Sequence, residues 1–235
     1  MKLSFDKLSG YAICRFRDNI YLSNISEFSY TFKSGAYALV GQIDNSGWGI
    51  SYSLSPICKK DVYINRWTKD RINDNMNISK FYLNDKEVTL KHLQSISCYL
   101  GHYVSGKRNL LDSSAKNQLT RAIRKENSKY SMEELKSMFG LTEERFDRPL
   151  YMTGNEVWRI TAAVGLANGK RIFCFPWLTN NYLKPLIYAI EKMAEIIKKN
   201  DGILLLPVEN ADLIEGFVDD IIVLGEDTGD GSVCE

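Results

Sequence analysis

The spacing of apolar residues changes along the chain, and each change marks a different kind of segment. Short alternating or continuous apolar runs with many aromatic residues fill positions 1–40 and predict strands. From position 110 to 139 the apolar residues recur at helical spacing, with charged residues between them. The segments that follow predict, in order, a helix at 157–166, a strand at 171–175, a helix at 182–199, a strand at 202–206, a short helix at 213–219 and a strand at 221–224. This alternation predicts right-handed crossovers and a parallel sheet.

These segments predict one α/β domain that spans 1–235. Residues 1–102 and 151–225 form its α/β core, and residues 103–150 form a helical subdomain inserted into it. The capping box Ser131 to Glu134 is a predicted helix start within that insertion. Residues 226–235 are expected to be an acidic tail.

Composition narrows the range of functions. The formal net charge of +1 gives no reason to expect a nucleic-acid partner. The five cysteines include no CxxC pair, and the two histidines, His92 and His102, have no ligands at metal-site spacing, so we expect a reduced compartment and no metal. With no long apolar segment and no signal-peptide pattern at the start, we expect a cytoplasmic protein.

A glycine-rich loop between an apolar run and a segment of helical spacing is the strongest functional feature. The run at 36–40 is followed by Gly41, Gln42, Ile43, Asp44, Asn45, Ser46, Gly47, Trp48 and Gly49. A phosphate-binding loop joins strand and helix through G-x-x-x-x-G-K-[ST], in which the amides and the lysine hold phosphates and the hydroxyl holds Mg²⁺. Here Gly41 and Gly47 are one residue too far apart, and Trp48 and Gly49 replace the lysine and the hydroxyl.

Two interpretations of Trp48 remain open at this stage. Its ring could fill the space that phosphates would occupy, or it could stack on a base. We favour the first, because a large aromatic side chain is more often part of a core.

The order of these parts resembles the nucleotide-binding domain of ATP-binding cassette (ABC) transporters over nearly the whole chain. Residues 28–41 look like the strands and turn that lead into that family's Walker A loop. The segment 151–156, which contains Thr153, Gly154, Asn155 and Glu156, is similar to its LSGGE signature. The resemblance implies a P-loop NTPase-like mixed sheet core, an antiparallel β subdomain and a helical subdomain. It also implies a homo- or heterodimer of ABC-type subunits, a membrane-spanning permease as partner, and a place at the inner face of the cell membrane.

The departures from that family lie on the residues that carry its chemistry. Pro176 and Trp177 stand where the Walker B strand of the family ends in Asp-Glu. No glutamine occurs near the Q-loop position at Gly101, and Val208 is near the position of the switch histidine. Phosphoryl transfer depends on such groups for positioning and electrostatic stabilisation, so we expect no ATP hydrolysis by this chain alone and assign no catalytic residue. No cofactor is certain from these residues; ATP bound without hydrolysis is the candidate.

The signature-like segment keeps its chemistry. Thr153 retains a hydroxyl, Gly154 a bare backbone, and Asn155 tolerates the left-handed conformation. In the family this segment contacts the γ-phosphate held by the other subunit. The alternative is that Thr153 is the N-cap of a capping box with Glu156, which needs no ligand.

Three functions follow from these alternatives. The first is an impaired cassette subunit that pairs with a competent ATPase subunit and a membrane permease, with residues 100–125 contacting the permease. The second is a soluble regulatory or scaffold module that uses the fold without nucleotide. The third is a weakly active ATPase with a rearranged loop.

Overall fold

The computed structural model describes residues 1–16, 19–43, 47–56, 79–101, 113–126 and 128–224. Its strands are β1 (Lys2–Phe16), β2 (Asn19–Lys33), β3 (Gly35–Val40), β4 (Lys80–Leu83), β5 (Lys86–Val88), β6 (Ser97–Tyr99), β7 (Ile172–Cys174), β8 (Ile203–Val208) and β9 (Asp220–Val223). Its helices are α1 (Gly47–Ser53), α2 (Leu90–Ile96), α3 (Ala115–Lys125), α4 (Met132–Phe139), α5 (Glu143–Phe146), α6 (Glu156–Ala167), α7 (Asn180–Leu183) and α8 (Ile187–Lys199), with 3₁₀ turns at Leu150–Met152 and Lys184–Leu186.

Two sheets organise these elements. A four-stranded antiparallel sheet has the order β2-β1-β4-β5, and a five-stranded parallel sheet has the order β6-β7-β8-β3-β9. The predicted α/β fold with a separate antiparallel β part is confirmed, and among the described strands the core sheet itself is parallel. The parallel strands β7 and β8 are buried along their whole length, as expected of strands covered on both faces.

The parallel sheet separates two hydrophobic cores, and alternate residues of β3 reach them. Ala36 and Ala38 pack with the helices α3, α4, α6 and α8 on one face. Tyr37 and Leu39 pack with α1 and the antiparallel sheet on the other face. The carboxyl ends of β3, β6, β7 and β8 therefore open toward one edge, with α1 enclosed between the two sheets.

Several predicted boundaries need correction. The helix after the glycine-rich loop is Gly47–Ser53 rather than 50–57, and residues 213–219 form turns instead of a helix. The predicted helix at 182–199 begins as a separate turn of helix and a 3₁₀ segment that contains Pro185, because proline is tolerated only in the first turn of a helix. The predicted helices between 110 and 139 include α3 and α4. The capping box at Ser131 is confirmed, since Ser131 Oγ accepts from the Glu134 amide and Glu134 accepts from the Ser131 amide.

Candidate functional site at the carboxyl edge of the parallel sheet

The predicted strand and helix are present, and the chain leaves the strand at the carboxyl edge of the sheet. Gly41, Gln42 and Ile43 follow β3, and the Gly41 amide donates to the Val208 carbonyl at 3.1 Å. The candidate residues Asp44, Asn45 and Ser46, like His102, lie outside the described residues. The chain enters α1 at Gly47.

Close packing explains why residues 47 and 49 are glycine. A Cβ atom at Gly47 would lie 2.1 Å from the Cβ of Leu39, and one at Gly49 would lie 2.8 Å from Ser23 Oγ. Both distances are shorter than any normal contact, so α1 lies directly on β3 and β2 only because these side chains are missing. The glycines at these two positions are thus explained without a phosphate.

Trp48 points into the core between the sheets. Its side chain is 1% exposed, and its indole Nε1 donates to Tyr99 Oη at 2.9 Å. Tyr99 ends β6, and the ring of Tyr52 meets it edge-on with centroids 5.7 Å apart. An indole enclosed in this way offers no open face to a base.

One backbone amide and one hydroxyl group of α1 are bound within the protein. The Gly49 amide donates to Ser23 Oγ at 3.0 Å, and Ser51 Oγ donates to the Phe175 carbonyl at 2.6 Å. Gly49, at the position where a phosphate loop has its Mg²⁺-binding hydroxyl, has no side chain, and the next residue, Ile50, is 1% exposed. Sequence reasoning missed Ser23 and Ser51, because neither the register of the hairpin nor the close approach of α1 to β7 can be deduced from apolar spacing.

The segment after β7 closes against the glycine-rich loop. Trp177 Nε1 donates to the Gly41 carbonyl at 3.0 Å, and Pro176 is buried. Next to them, Trp158 stacks on Phe175 with ring centroids 5.1 Å apart and planes inclined by 18°. The two candidate segments, 41–49 and 176–177, therefore meet at one place, and the contact between them is aromatic and peptide in character.

The signature-like segment forms a second, separate part of the site. Thr153 is fully buried and its Oγ1 donates to the Leu150 carbonyl at 2.7 Å, while Gly154 has a φ of 57°. Glu156 accepts from the Thr142 amide at 2.6 Å and from Thr142 Oγ1 at 2.9 Å. The capping-box alternative for Thr153 and Glu156 is wrong, because neither side chain bonds to the partner that it requires.

Two arginines balance the buried carboxylate of this segment. Glu156 is 2% exposed, and its oxygens lie 3.6 Å from Arg159 Nη2 and 3.8 Å from Arg145 Nε. Arg145 Nη1 also donates to the Thr153 carbonyl at 3.2 Å. A fixed network therefore holds the turn at 153–155 in place, while a Cβ atom at Gly154 would have only Arg145 within 4 Å, at 3.9 Å.

Neither a metal centre nor a thiol nucleophile emerges from the described residues. Across those ranges no three His, Cys, Asp or Glu side chains are grouped closely enough to hold a metal ion. Burial raises the pKa of the Cys174 thiol above its usual range, so it is protonated at neutral pH.

Within the part of the chain that the structure describes, every helix is too short or too polar to span a bilayer.

Comparison with known proteins gives a fold but no sequence relative. No protein-family model and no curated protein matches the chain. Among solved structures, a putative ABC transporter ATP-binding protein from Pyrococcus furiosus is similar at a TM-score of 0.60 and 12% identity, over 95% of this chain and 98% of that one. The protein cbiO1 of Clostridium perfringens, part of the ABC transporter complex cbiONQ, is similar at a TM-score of 0.56 and 12% identity, over 94% and 84%. A dimeric ATP-binding cassette in a post-hydrolysis state, bound to ADP and phosphate, is similar at a TM-score of 0.54 and 14% identity, over 94% of each chain.

Proposed function

Because the chain has the fold of ATP-binding cassettes, we propose that it is a cassette subunit of a transporter whose own nucleotide site has lost hydrolysis. The observation that carries this proposal is the position of Trp48, which takes the place of the phosphate-loop lysine and is buried against Tyr99. A lysine at that position would bring a positive charge to the β- and γ-phosphates. The indole brings none and occupies the interior instead.

Among the described residues, those at the lost hydroxyl and carboxylate positions of the carboxyl edge do not fit Mg²⁺. This ion takes oxygen ligands in octahedral geometry, usually one or two carboxylates with phosphate oxygens and water. Gly49 supplies no side-chain oxygen at the hydroxyl position of the loop, and Pro176 and Trp177 supply none at the end of β7. No step of hydrolysis is therefore assigned to this chain.

The second part of the proposal concerns the partner. We infer that the turn Thr153-Gly154-Asn155 completes the nucleotide site of a competent cassette, as the resemblance to the LSGGE signature implies. Support comes from its rigidity and its access: Glu156 and Arg145 fix the turn, and Gly154 keeps its outer face open. Amides at the N-terminus of a helix bind anions well, and α6 begins directly after this turn.

The same proposal places the chain in a complex. We expect a second ABC-type subunit and a membrane-spanning permease as its partners, and a position at the cytoplasmic face of the membrane. The solved structures with this fold include one described as part of a transporter complex and one described as a dimer, which is consistent with that assignment.

Titration calorimetry with ATP tests the first part. We expect no binding heat up to millimolar ATP, with or without Mg²⁺. Binding that depends on Mg²⁺ would contradict the closed-loop interpretation and would favour the weakly active ATPase. Binding without Mg²⁺ dependence and without turnover would mean that the chain holds ATP as a structural ligand, and would likewise contradict a closed loop.

Two matched glycine variants test the second part. Gly154→Ala and Gly169→Ala each place a methyl group at a positive φ, +57° and +68°, where no atom lies closer than 3.9 Å. Their costs in folding should therefore be similar. Each variant is expressed with an affinity tag in its own organism and purified with its partners. We expect Gly154→Ala to lower the ATPase rate of the purified complex and Gly169→Ala to leave that rate unchanged. A soluble chain that captures neither a cassette nor a permease would instead support the scaffold alternative.

A further inference from the structure

A cavity of about 310 Å³ lies away from the carboxyl edge, between the second halves of α3 and α6. Ala122 and Val164 contribute apolar walls, and Cys98 of β6 lies close beneath α6, where a Cβ at Gly165 would be 2.8 Å from its Sγ. This volume is at the lower end of the range in which proteins bind small molecules.

The rim of this cavity carries an excess of positive charge. Arg121, Lys125 and Lys170 line it, with Glu126 as the single carboxylate among its lining residues. Lys125 Nζ is 3.1 Å from Glu126 Oε1, so that pair is neutral overall. Lys170 Nζ donates to the Ser95 carbonyl at 2.5 Å, a bond that leaves its charge in place. Among the described residues, neither Arg121 nor Lys170 forms an ion pair with a carboxylate.

A neighbouring cavity extends the same positive surface. It has a volume of about 250 Å³, shares Glu126 and Lys170 with the first, and adds Lys129 and Arg171. Arg171 Nη1 donates to the Asn200 carbonyl at 2.5 Å, which fixes the guanidinium without neutralising it. Clustered charge of one sign beside apolar walls concentrates the local field and attracts ligands of the opposite sign.

The interior of the first cavity stays uncharged, which suits a ligand with an apolar body. Burial raises the pKa of the Cys98 thiol to about 12, so the thiol is neutral at physiological pH. Gln118, a 5% exposed amide, is a further uncharged group on the lining.

We propose that this cavity between α3 and α6 binds a small organic anion, with an apolar body against Ala122 and Val164 and a phosphate or carboxylate group beside Arg121 and Lys170. This site is separate from the nucleotide site, since it shares no residue with the carboxyl edge of the sheet.

Three probes of one shape test this assignment by calorimetry: 1-naphthyl phosphate, 1-naphthoate and uncharged 1-naphthol. We expect at least one anion to bind at micromolar to millimolar concentration and 1-naphthol to bind about tenfold more weakly, a difference of about 1.4 kcal/mol for the charged contact. The stronger of the two anions identifies whether the natural group is a phosphate or a carboxylate.

A pair of charge reversals on α3 locates the binding site. Arg121→Glu removes a cation from the cavity rim, whereas Arg124→Glu makes the same change on the same helix at a residue outside the lining. Both residues are exposed, so both variants should fold, as thermal unfolding can confirm. We expect Arg121→Glu to weaken the binding of the anion about tenfold or more and Arg124→Glu to change it less than about twofold. The proposal is overturned if neither anion binds up to several millimolar, if 1-naphthol binds as well as the anions, or if both reversals have the same effect.

Discussion

Replacement of Trp48 by alanine tests directly whether the loop is closed by a side chain that belongs to the core. Burial of an aromatic side chain removes about 150–250 Å² from water, and about 150 Å² of that is lost with the ring in this substitution. At about 25 cal/mol per Å² the loss is about 4 kcal/mol. The hydrogen bond to Tyr99 adds about 1 kcal/mol, so we expect the free energy of unfolding to fall by about 4–5 kcal/mol.

Urea denaturation followed by far-UV circular dichroism measures this change without relying on tryptophan emission. Tyr188→Ala is the control, because that ring is 77% exposed and its loss should cost less than about 0.5 kcal/mol. Trp48→Phe keeps much of the ring volume and should have an intermediate effect. A loss of less than about 1 kcal/mol for Trp48→Ala would refute the reasoning, since no buried indole could be removed so cheaply.

Four further substitutions test other parts of the structure. Gly47→Ala should destabilise the protein strongly or prevent folding, because the new methyl group would lie 2.1 Å from the Cβ of Leu39; a urea midpoint equal to wild type would contradict this packing. Ser131→Ala should cost about 1 kcal/mol by loss of the α4 cap. Hydrogen bonds from Ser131 lower the pKa of Glu134. The stability that this carboxylate contributes is therefore present above its unfolded pKa and is lost as the pH falls through the lowered value. In a series of urea titrations, the difference in the free energy of unfolding between wild type and Glu134→Gln should narrow toward acidic pH. Glu156→Gln should raise the rate of amide exchange in the turn before α6 and weaken any ATPase activity of a complex, whereas exchange unchanged from wild type would argue against a role in fixing that turn.

The sequence was sufficient for the elements whose apolar pattern is long and regular. The helix at Glu156–Ala167 and the capping box at Ser131 were predicted within a residue or two, because a buried stripe and a cap each depend only on neighbours along the chain. The same holds for the buried strands Ile172–Cys174 and Ile203–Val208, whose uninterrupted apolar runs are typical of parallel sheets.

Contacts between distant segments could not be predicted in this way. The bonds from Gly49 to Ser23, from Ser51 to Phe175 and from Trp177 to Gly41 join residues 26, 124 and 136 positions apart. Apolar spacing determines which face of an element is buried, whereas the identity of the partner depends on the order of strands and on how closely elements approach. The glycines of α1 illustrate this limit, because their place after a buried strand suggests a phosphate loop while their contacts indicate close packing.

The surroundings of the Glu156 carboxylate bear on the choice between an impaired cassette and an inert scaffold. A buried carboxylate is expensive to desolvate, and here two hydrogen bonds from Thr142 and the nearby charges of Arg145 and Arg159 offset that cost. An apolar residue of similar size would fill the same space without such a network. What the network adds over an apolar residue is a fixed conformation for the turn at 153–155. A turn fixed in this way at the N-terminus of a helix is what we expect of a subunit that offers it to a phosphate on its partner, and on that ground we prefer the cassette.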